Sequence, residues 1–106
     1  MQTTELVSFI QDKIDDMKGR DIVAIDVRGK SSVTEFMIVC SGTSNRHTKS
    51  IADYVAAEVK KAGINTLGIE GQASGEWVLL DLDDVVVHVM LEETRSFYQL
   101  EKLWSA

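Results

Sequence analysis

The chain has 106 residues, of which 44% are apolar and 26% charged, and its formal net charge is −6. This length predicts a single domain over residues 1–106 whose core needs no metal, and the lone cysteine excludes an internal disulfide framework. No apolar run reaches the roughly 18 residues of a membrane span, and the first residues do not form a signal peptide, so we expect a reduced, cytoplasmic location.

The negative charge is concentrated towards the C-terminus. Residues 1–65 carry equal numbers of acidic and basic side chains, whereas residues 66–106 carry eight acidic and two basic ones. Phosphates require a basic footprint, so this distribution argues against free nucleic acid as the main ligand. It fits a basic protein partner, although an acidic surface that only aids solubility gives the same pattern.

The first half of the chain predicts a helix, a β-hairpin and a second helix. Apolar residues at three- and four-residue steps predict an amphipathic helix over about 4–18, capped by Thr3 or Thr4. Two apolar, β-branched runs at 22–27 and 34–40 flank a turn and predict paired strands. A small polar loop then leads into a helix over about 46–62, which Gly63 ends.

The second half predicts three strands and a final helix. A short strand at 66–69 is followed by strands 77–81 and 85–91, which are joined tightly through residues 82–84. The last helix is predicted over about 94–104, with Phe97, Leu100 and either Leu103 or Trp104 facing inward. The order α-β-β-α-β-β-β-α predicts an α/β fold in which three helices pack a mixed five-stranded sheet.

Strand alternation gathers a set of large side chains on one face of the hairpin formed by residues 77–91. Alternate positions of 85–91 form an unbroken apolar face, which we take as the core side. The opposite face then carries Trp77, Leu79, Val86, His88 and Met90. Aromatic and methionine anchors bordered by Glu76, Asp81 and Glu92 are typical of a protein-binding surface. A face covered by a helix, as second-side core, has the same pattern, and both interpretations remain open.

Two segments resemble parts of a nucleotidyltransferase. In those enzymes a Gly-Ser turn at a helix start holds a phosphate, and paired carboxylates hold two metal ions. Here Gly42-Thr43-Ser44 and Asp81-Leu82-Asp83 are separated by far more than the usual gap. Aspartates are also favoured in turns for their own sake, and this acidic run lacks the ligand spacing of a calcium loop.

Other candidates for chemistry are isolated residues. Cys40 ends an apolar strand without a second cysteine nearby, which indicates a core residue. A hydrolase triad from Ser41 or Ser44 with His88 and Asp81 lacks a nucleophile elbow. We therefore predict no catalytic residue, no metal site and no cofactor.

Three segments of the chain resemble the signature of the ribosomal silencing factor family, also called Iojap-like proteins. The first is Asp26-x-x-Gly29-Lys30-Ser31-Ser32-x-Thr34-Glu35-x-Met37-Ile38-x-x-x-Gly42-Thr43-Ser44. The second is Glu70-Gly71-x-x-x-x-x-Trp77-x-x-x-Asp81-x-x-Asp84-Val85-x-Val87-His88-x-Met90. The third is Arg95-x-x-Tyr98-x-Leu100-Glu101-x-Leu103-Trp104. Together they span nearly the whole chain in the order and spacing of the family.

The resemblance implies a factor that is not an enzyme, with a nucleotidyltransferase-like fold that lacks the catalytic acids. Family members bind the large ribosomal subunit through a basic ribosomal protein at the intersubunit face, number fourteen of that subunit. They thereby obstruct joining of the small subunit and repress translation when nutrients fail. Organellar relatives assist assembly of the large subunit, which is the first alternative function; a nucleotidyltransferase-like enzyme is the second.

The hairpin face and the C-terminal helix supply the candidate contacts with this ribosomal protein. We expect the contact core to consist of Trp77, Leu79, Met90 and Tyr98. The polar border is expected at Asp81, His88 and Glu101. For each residue, packing within the fold is the alternative. Because an apolar patch of this kind also pairs with its own copy, we expect a homodimer when the chain is free.

Overall fold

A computed structural model, which describes residues 1–105, confirms the predicted α/β class and the order of the elements. The elements are α1 (Thr3–Asp16), β1 (Arg20–Asp26), β2 (Phe36–Gly42), α2 (Asn45–Lys61), β3 (Gly68–Glu70), β4 (Trp77–Asp81), β5 (Val85–Leu91), α3 (Glu92–Tyr98) and α4 (Leu100–Ser105). Among the residues described, no helix is long and apolar enough to cross a membrane.

The five strands form one mixed sheet in the order β1-β2-β5-β4-β3. The predicted hairpins are confirmed, since β1 pairs with β2 and β4 pairs with β5 in antiparallel fashion. β2 and β5 are parallel neighbours at the centre. Parallel strands need a long crossover, and the chain between β2 and β5 contains α2, which lies on one face of the sheet.

The main core lies between that face and the helices α1 and α2. Ile10 and Ile14 of α1 are fully buried at helical spacing, as are Val55 and Val59 of α2. They meet the alternate apolar side chains of the central strands, among them Ile38, Val87 and Val89. Burying each such side chain contributes roughly 1.5–3 kcal/mol to the stability of the folded state. This layer therefore holds the sheet in place from one side and leaves its opposite face for the C-terminal helices and solvent.

The opposite face of the sheet is covered over one part only. There α4 lies against β1, and α3 contacts β2 and β5. Beneath them is a second buried cluster made of Ile25, Val27, Met37, Val39 and Met90. Leu79 and Asp81 of β4, on the same face, stay partly exposed. The interpretation of a helix-covered face therefore holds for the part over β1, β2 and β5, whereas the part on β4 stays partly open to solvent.

The predicted C-terminal helix is divided in two at Gln99, which adopts left-handed backbone angles of φ 51° and ψ 50°. Leu100 and Trp104 pack on the second cluster, as predicted. The prediction that Phe97 faces inward is wrong, because the turn at Gln99 leaves its side chain 79% exposed. Leu103, the alternative to Trp104, is also exposed.

Candidate protein-binding site

Four large apolar side chains meet where the second sheet face is left open. Trp77 and Leu79 on β4 are half-buried. Phe97 and Tyr98, at the end of α3, are 79% and 53% exposed. We call these four residues the aromatic patch. Sequence reasoning identified three of them but assigned Phe97 to the core.

The rings of the aromatic patch form a contiguous row. The centroid of Tyr98 lies 4.8 Å from that of Trp77, with the ring planes tilted by 51°. Phe97 meets Tyr98 edge-on at 5.0 Å. These are separations at which aromatic pairs attract beyond simple burial, so the three rings present one connected surface to solvent.

A buried histidine fixes the orientation of the indole. The Nε1–H of Trp77 donates to Nδ1 of His88 at 2.9 Å. His88 is 5% exposed, and burial lowers its pKa to about 4. The imidazole is therefore neutral at pH 7, with Nδ1 unprotonated as the hydrogen bond requires.

The loop that precedes β4 is also closely fitted. Gly71 has φ +88°, and a Cβ at this position would lie 1.9 Å from the carbonyl oxygen of Trp77. At the other end of the loop, the hydroxyl of Thr48 on α2 donates to the carbonyl of Gly75. The loop is thus anchored to α2, and this fixes the position of the backbone at the start of β4, where Trp77 lies.

Two of the predicted contact residues lie inside the molecule. Met90 is 0% exposed and packs in the second cluster, against which Trp77, Leu100 and Trp104 also pack. His88 is nearly as buried. The prediction that both are accessible is wrong, because the aromatic side chains and the C-terminal helices cover this part of the sheet face. Met90 and His88 instead support Trp77 from beneath.

Acidic side chains border the aromatic patch. Exposed Glu70 lines a shallow depression with Gly71, Trp77 and Leu79. Half-buried Asp81 ends β4, where its Oδ1 accepts a hydrogen bond from the backbone N–H of Asp83 at 2.9 Å. The patch therefore combines apolar rings with carboxylates on the adjoining strands.

Glu101, the other predicted border residue, is engaged within the fold. It is half-buried, and it accepts a hydrogen bond from the Nε–H of Arg95. Asp81 and Glu101 therefore each accept a hydrogen bond within the fold, Asp81 from a backbone N–H and Glu101 from a guanidinium, and both stay partly exposed.

The geometry separates the residues that would form a nucleotidyltransferase site. Gly42 aligns with Leu91 of β5, whereas Asp81 aligns with Val86. Five residues of extended strand separate these positions by about 16 Å. The Gly-Thr-Ser turn and the acidic run therefore lie at opposite ends of the sheet, too far apart to act on one substrate.

The residues considered for a hydrolase triad each have another partner. Ser41 Oγ accepts a hydrogen bond from Nη1 of Arg95 at 2.9 Å, and His88 Nδ1 is occupied by Trp77.

Burial raises the pKa of the Cys40 thiol to about 12, so Cys40 is a core residue as predicted. Within residues 1–105, no group of three His, Cys, Asp or Glu side chains is arranged to hold a metal ion.

Comparison with known proteins gives consistent matches over the whole chain. The model of one protein family, described as ribosomal silencing factor during starvation, matches residues 1–106. A protein of Haemophilus influenzae named ribosomal silencing factor RsfS is 49% identical over 94% of this chain and 98% of its own length.

A mouse protein and a solved structure extend the comparison. The mouse protein, named mitochondrial assembly of ribosomal large subunit protein 1, is 34% identical over 94% of this chain and 43% of its own length. A crystal structure of a protein from Chromobacterium violaceum superimposes with a TM-score of 0.97 at 42% identity, covering 100% of this chain and 88% of that one.

Proposed function

Because this chain belongs to the ribosomal silencing factor family, we propose that it binds the large ribosomal subunit and prevents the small subunit from joining it. The contact is made with the basic ribosomal protein of the intersubunit face, number fourteen of the large subunit. The observation that carries this proposal is the aromatic patch, an exposed row of rings on an otherwise well-packed domain.

The composition of the aromatic patch supports its role as a binding surface. Tyrosine and tryptophan are enriched among the residues that dominate binding energies, especially where they sit at the centre of an interface. Tyr98 is 53% exposed although its ring already contacts Trp77. The aromatic contacts proposed are therefore Trp77, Phe97 and Tyr98, with Leu79 beside them on β4.

The border of the patch supports a basic partner. Glu70 is exposed beside the rings, and Asp81 ends the strand that carries Trp77. Carboxylates at the rim attract a positively charged surface and orient it during encounter, while the apolar centre supplies most of the affinity. Asp81 is accordingly proposed as a polar contact.

The obstruction of subunit joining requires only affinity and bulk. The domain measures 34 × 31 × 21 Å. A body of this size on the intersubunit face occupies space that the small subunit needs, and we assign the chain no catalytic step. We place this action in the cytoplasm under nutrient limitation, and the same patch pairs two copies when the ribosome is absent.

A second candidate function is assistance in assembling the large subunit. The mouse relative whose name refers to large-subunit assembly is 34% identical over 94% of this chain. Both functions use the same docking site on the large subunit. They are separated by whether the chain is found on precursor particles or on mature subunits.

The test replaces single patch residues and measures binding to purified large subunits. Trp77→Ala removes the central ring and is expected to weaken binding by about 2 kcal/mol or more, roughly thirtyfold. Tyr98→Ala, at a more exposed position, is expected to weaken it as well. Tyr54→Ala is the matched control, because Tyr54 lies on α2, on the other side of the sheet.

Cosedimentation with large subunits at a fixed salt concentration gives the readout, and circular dichroism verifies that each variant is folded. The proposal predicts loss for Trp77→Ala and Tyr98→Ala and retention for Tyr54→Ala. Folded Trp77→Ala and Tyr98→Ala variants that sediment with large subunits as strongly as the parent would contradict it.

A further inference from the structure

Arg95 joins three parts of the chain next to the aromatic patch. It lies in α3, and its side chain is only 12% exposed. Its Nη1 donates to Oγ of Ser41 in β2 at 2.9 Å, and its Nε donates to the carboxylate of Glu101 in α4. Ser41 is itself 2% exposed. Because the guanidinium is a rigid fork, two fixed acceptors leave it one orientation.

The pair formed by Arg95 and Glu101 spans the left-handed turn at Gln99. A non-glycine residue in this conformation costs roughly 1–2 kcal/mol relative to right-handed helix. The backbone N–H of Gln99 donates to the carbonyl of Arg95 at 2.9 Å, and the carbonyl of Gln99 accepts from the N–H of Leu103 at 3.2 Å. The hydrogen bond from Arg95 to Glu101 adds a side-chain restraint across the turn, and the bond to Ser41 fixes the guanidinium that donates it.

The turn at Gln99 decides where the aromatic side chains point. Tyr98, just before it, contacts Trp77 with ring centroids 4.8 Å apart. Leu100 and Trp104, just after it, pack on the second cluster. An uninterrupted helix advances 100° per residue, so it would rotate one of these two sets away from its present contacts.

We propose that Arg95 is a positioning residue for partner binding, which through Ser41 and Glu101 holds the turn at Gln99 and thereby keeps Tyr98 against Trp77. This inference rests on the proposed function, in which the aromatic patch is the binding surface. It also assigns Glu101 the role of an acceptor for Arg95 and not that of a direct contact with the partner.

The test follows ring packing and binding separately. In a Trp104→Phe background, Trp77 is the only tryptophan, so near-ultraviolet circular dichroism reports its surroundings. Adding Arg95→Met is expected to reduce the Trp77 signal, to leave the far-ultraviolet spectrum unchanged and to weaken large-subunit binding about tenfold. Arg28→Met is the control, since it removes a guanidinium that pairs with Asp26 at the other end of the sheet.

Substitutions of Glu101 separate positioning from direct contact. Glu101→Gln keeps an oxygen acceptor for Arg95, and it is expected to retain the Trp77 signal and binding within about threefold of the parent. Glu101→Ala removes the acceptor and should match Arg95→Met. If Glu101→Gln bound as weakly as Glu101→Ala while keeping the Trp77 signal, the carboxylate would be a contact and the inference would be wrong.

If Arg95→Met does not fold, Ser41→Ala takes its place as the test variant, because it removes one acceptor of Arg95 by a small change at a buried site. A severalfold loss of large-subunit binding by Ser41→Ala supports the inference. An Arg95→Met or Ser41→Ala variant that keeps the Trp77 signal, or that binds like the parent while Trp77→Ala does not, overturns the inference and leaves the proposed function intact. Parental binding by folded Trp77→Ala and Tyr98→Ala variants overturns the proposed function and this inference with it.

Discussion

At the scale of single residues, the hydrogen bond between Trp77 and His88 joins the candidate site to the buried side of the sheet. The indole N–H donates to Nδ1 of His88 at 2.9 Å, and this requires a neutral imidazole. Protonation of Nδ1 would place two donors face to face. The orientation of the central ring therefore depends on a group whose charge changes in acid.

The same histidine makes stability depend on pH. Burial lowers the pKa of His88 from 6.5 to about 4. Between these values the unfolded chain binds the proton more readily, so the contribution is complete above pH 6.5, falls as the pH drops towards 4 and is lost below it. We expect His88 to reduce the free energy of unfolding by about 2 kcal/mol between pH 7 and pH 5.

Urea denaturation of the parent and of His88→Asn at both pH values measures this term. Asparagine keeps an acceptor for the indole N–H but does not titrate, so the variant should lose less stability than the parent on acidification, by that same amount. Equal losses in the two proteins would show that His88 does not carry the pH dependence.

At the scale of elements, the loop from Gly71 to Gly75 determines where β4 begins and hence where Trp77 lies. A Cβ on Gly71 would meet the carbonyl oxygen of Trp77 at 1.9 Å, and the residue has φ +88°. Gly63, at the end of α2, has the same φ but no atom within 4 Å of such a Cβ. Alanine at Gly63 would therefore introduce backbone strain alone, whereas alanine at Gly71 would introduce the same strain together with a steric clash.

Alanine at these two positions should have unequal effects. Gly63→Ala is expected to cost about 1–2 kcal/mol, the penalty of a left-handed alanine. Gly71→Ala adds displacement of the backbone of β4, so we expect more than about 3 kcal/mol from this clash and strain together. Denaturant titration of both variants gives the comparison, and equal costs would mean that the loop absorbs the added methyl group freely.

The helices and strands differ in how well the sequence could predict them. Periodicity located the strands and the first two helices closely, because each buries its own apolar face. It did not locate the break at Gln99, since residues 94–104 keep helical spacing and the turn contains no glycine or proline. The bond of Arg95 to Glu101 spans that break, and its bond to Ser41 joins α3 to a distant part of the chain.

The candidate site was predictable to the same extent. Alternation along β4 placed Trp77 and Leu79 correctly on one face. It could not show that Met90, on the same face one strand away, is buried, because that depends on where the C-terminal helices lie. The sequence did contain one indication that Arg95 has a specific role, because it is one of only two basic residues among the last 41.

At the scale of the whole molecule, the proposed function assigns the acidic C-terminal part and the aromatic patch to different stages of binding. Exposed carboxylates such as Glu70 are expected to accelerate encounter with a basic surface, and the rings are expected to slow dissociation once contact is made. Salt screens the first effect and has little influence on the second.

We therefore expect added salt to lower the association rate constant for large subunits about tenfold between low and high ionic strength, with little change in dissociation. Glu70→Gln should lower the association rate at low salt, whereas Asp12→Asn, which removes an exposed carboxylate on α1, should not. Stopped-flow or surface-binding kinetics provide both constants. An association rate that does not respond to salt would exclude electrostatic steering by this border.

The most direct test of the central claim is sedimentation of mixed ribosomal subunits, under conditions that favour joining, with and without the purified protein. We predict that the chain moves with the large subunit and that joined ribosomes give way to free subunits, whereas folded Trp77→Ala leaves the joined ribosomes in place. Joined ribosomes that persist while the protein is bound to them would contradict obstruction of subunit joining.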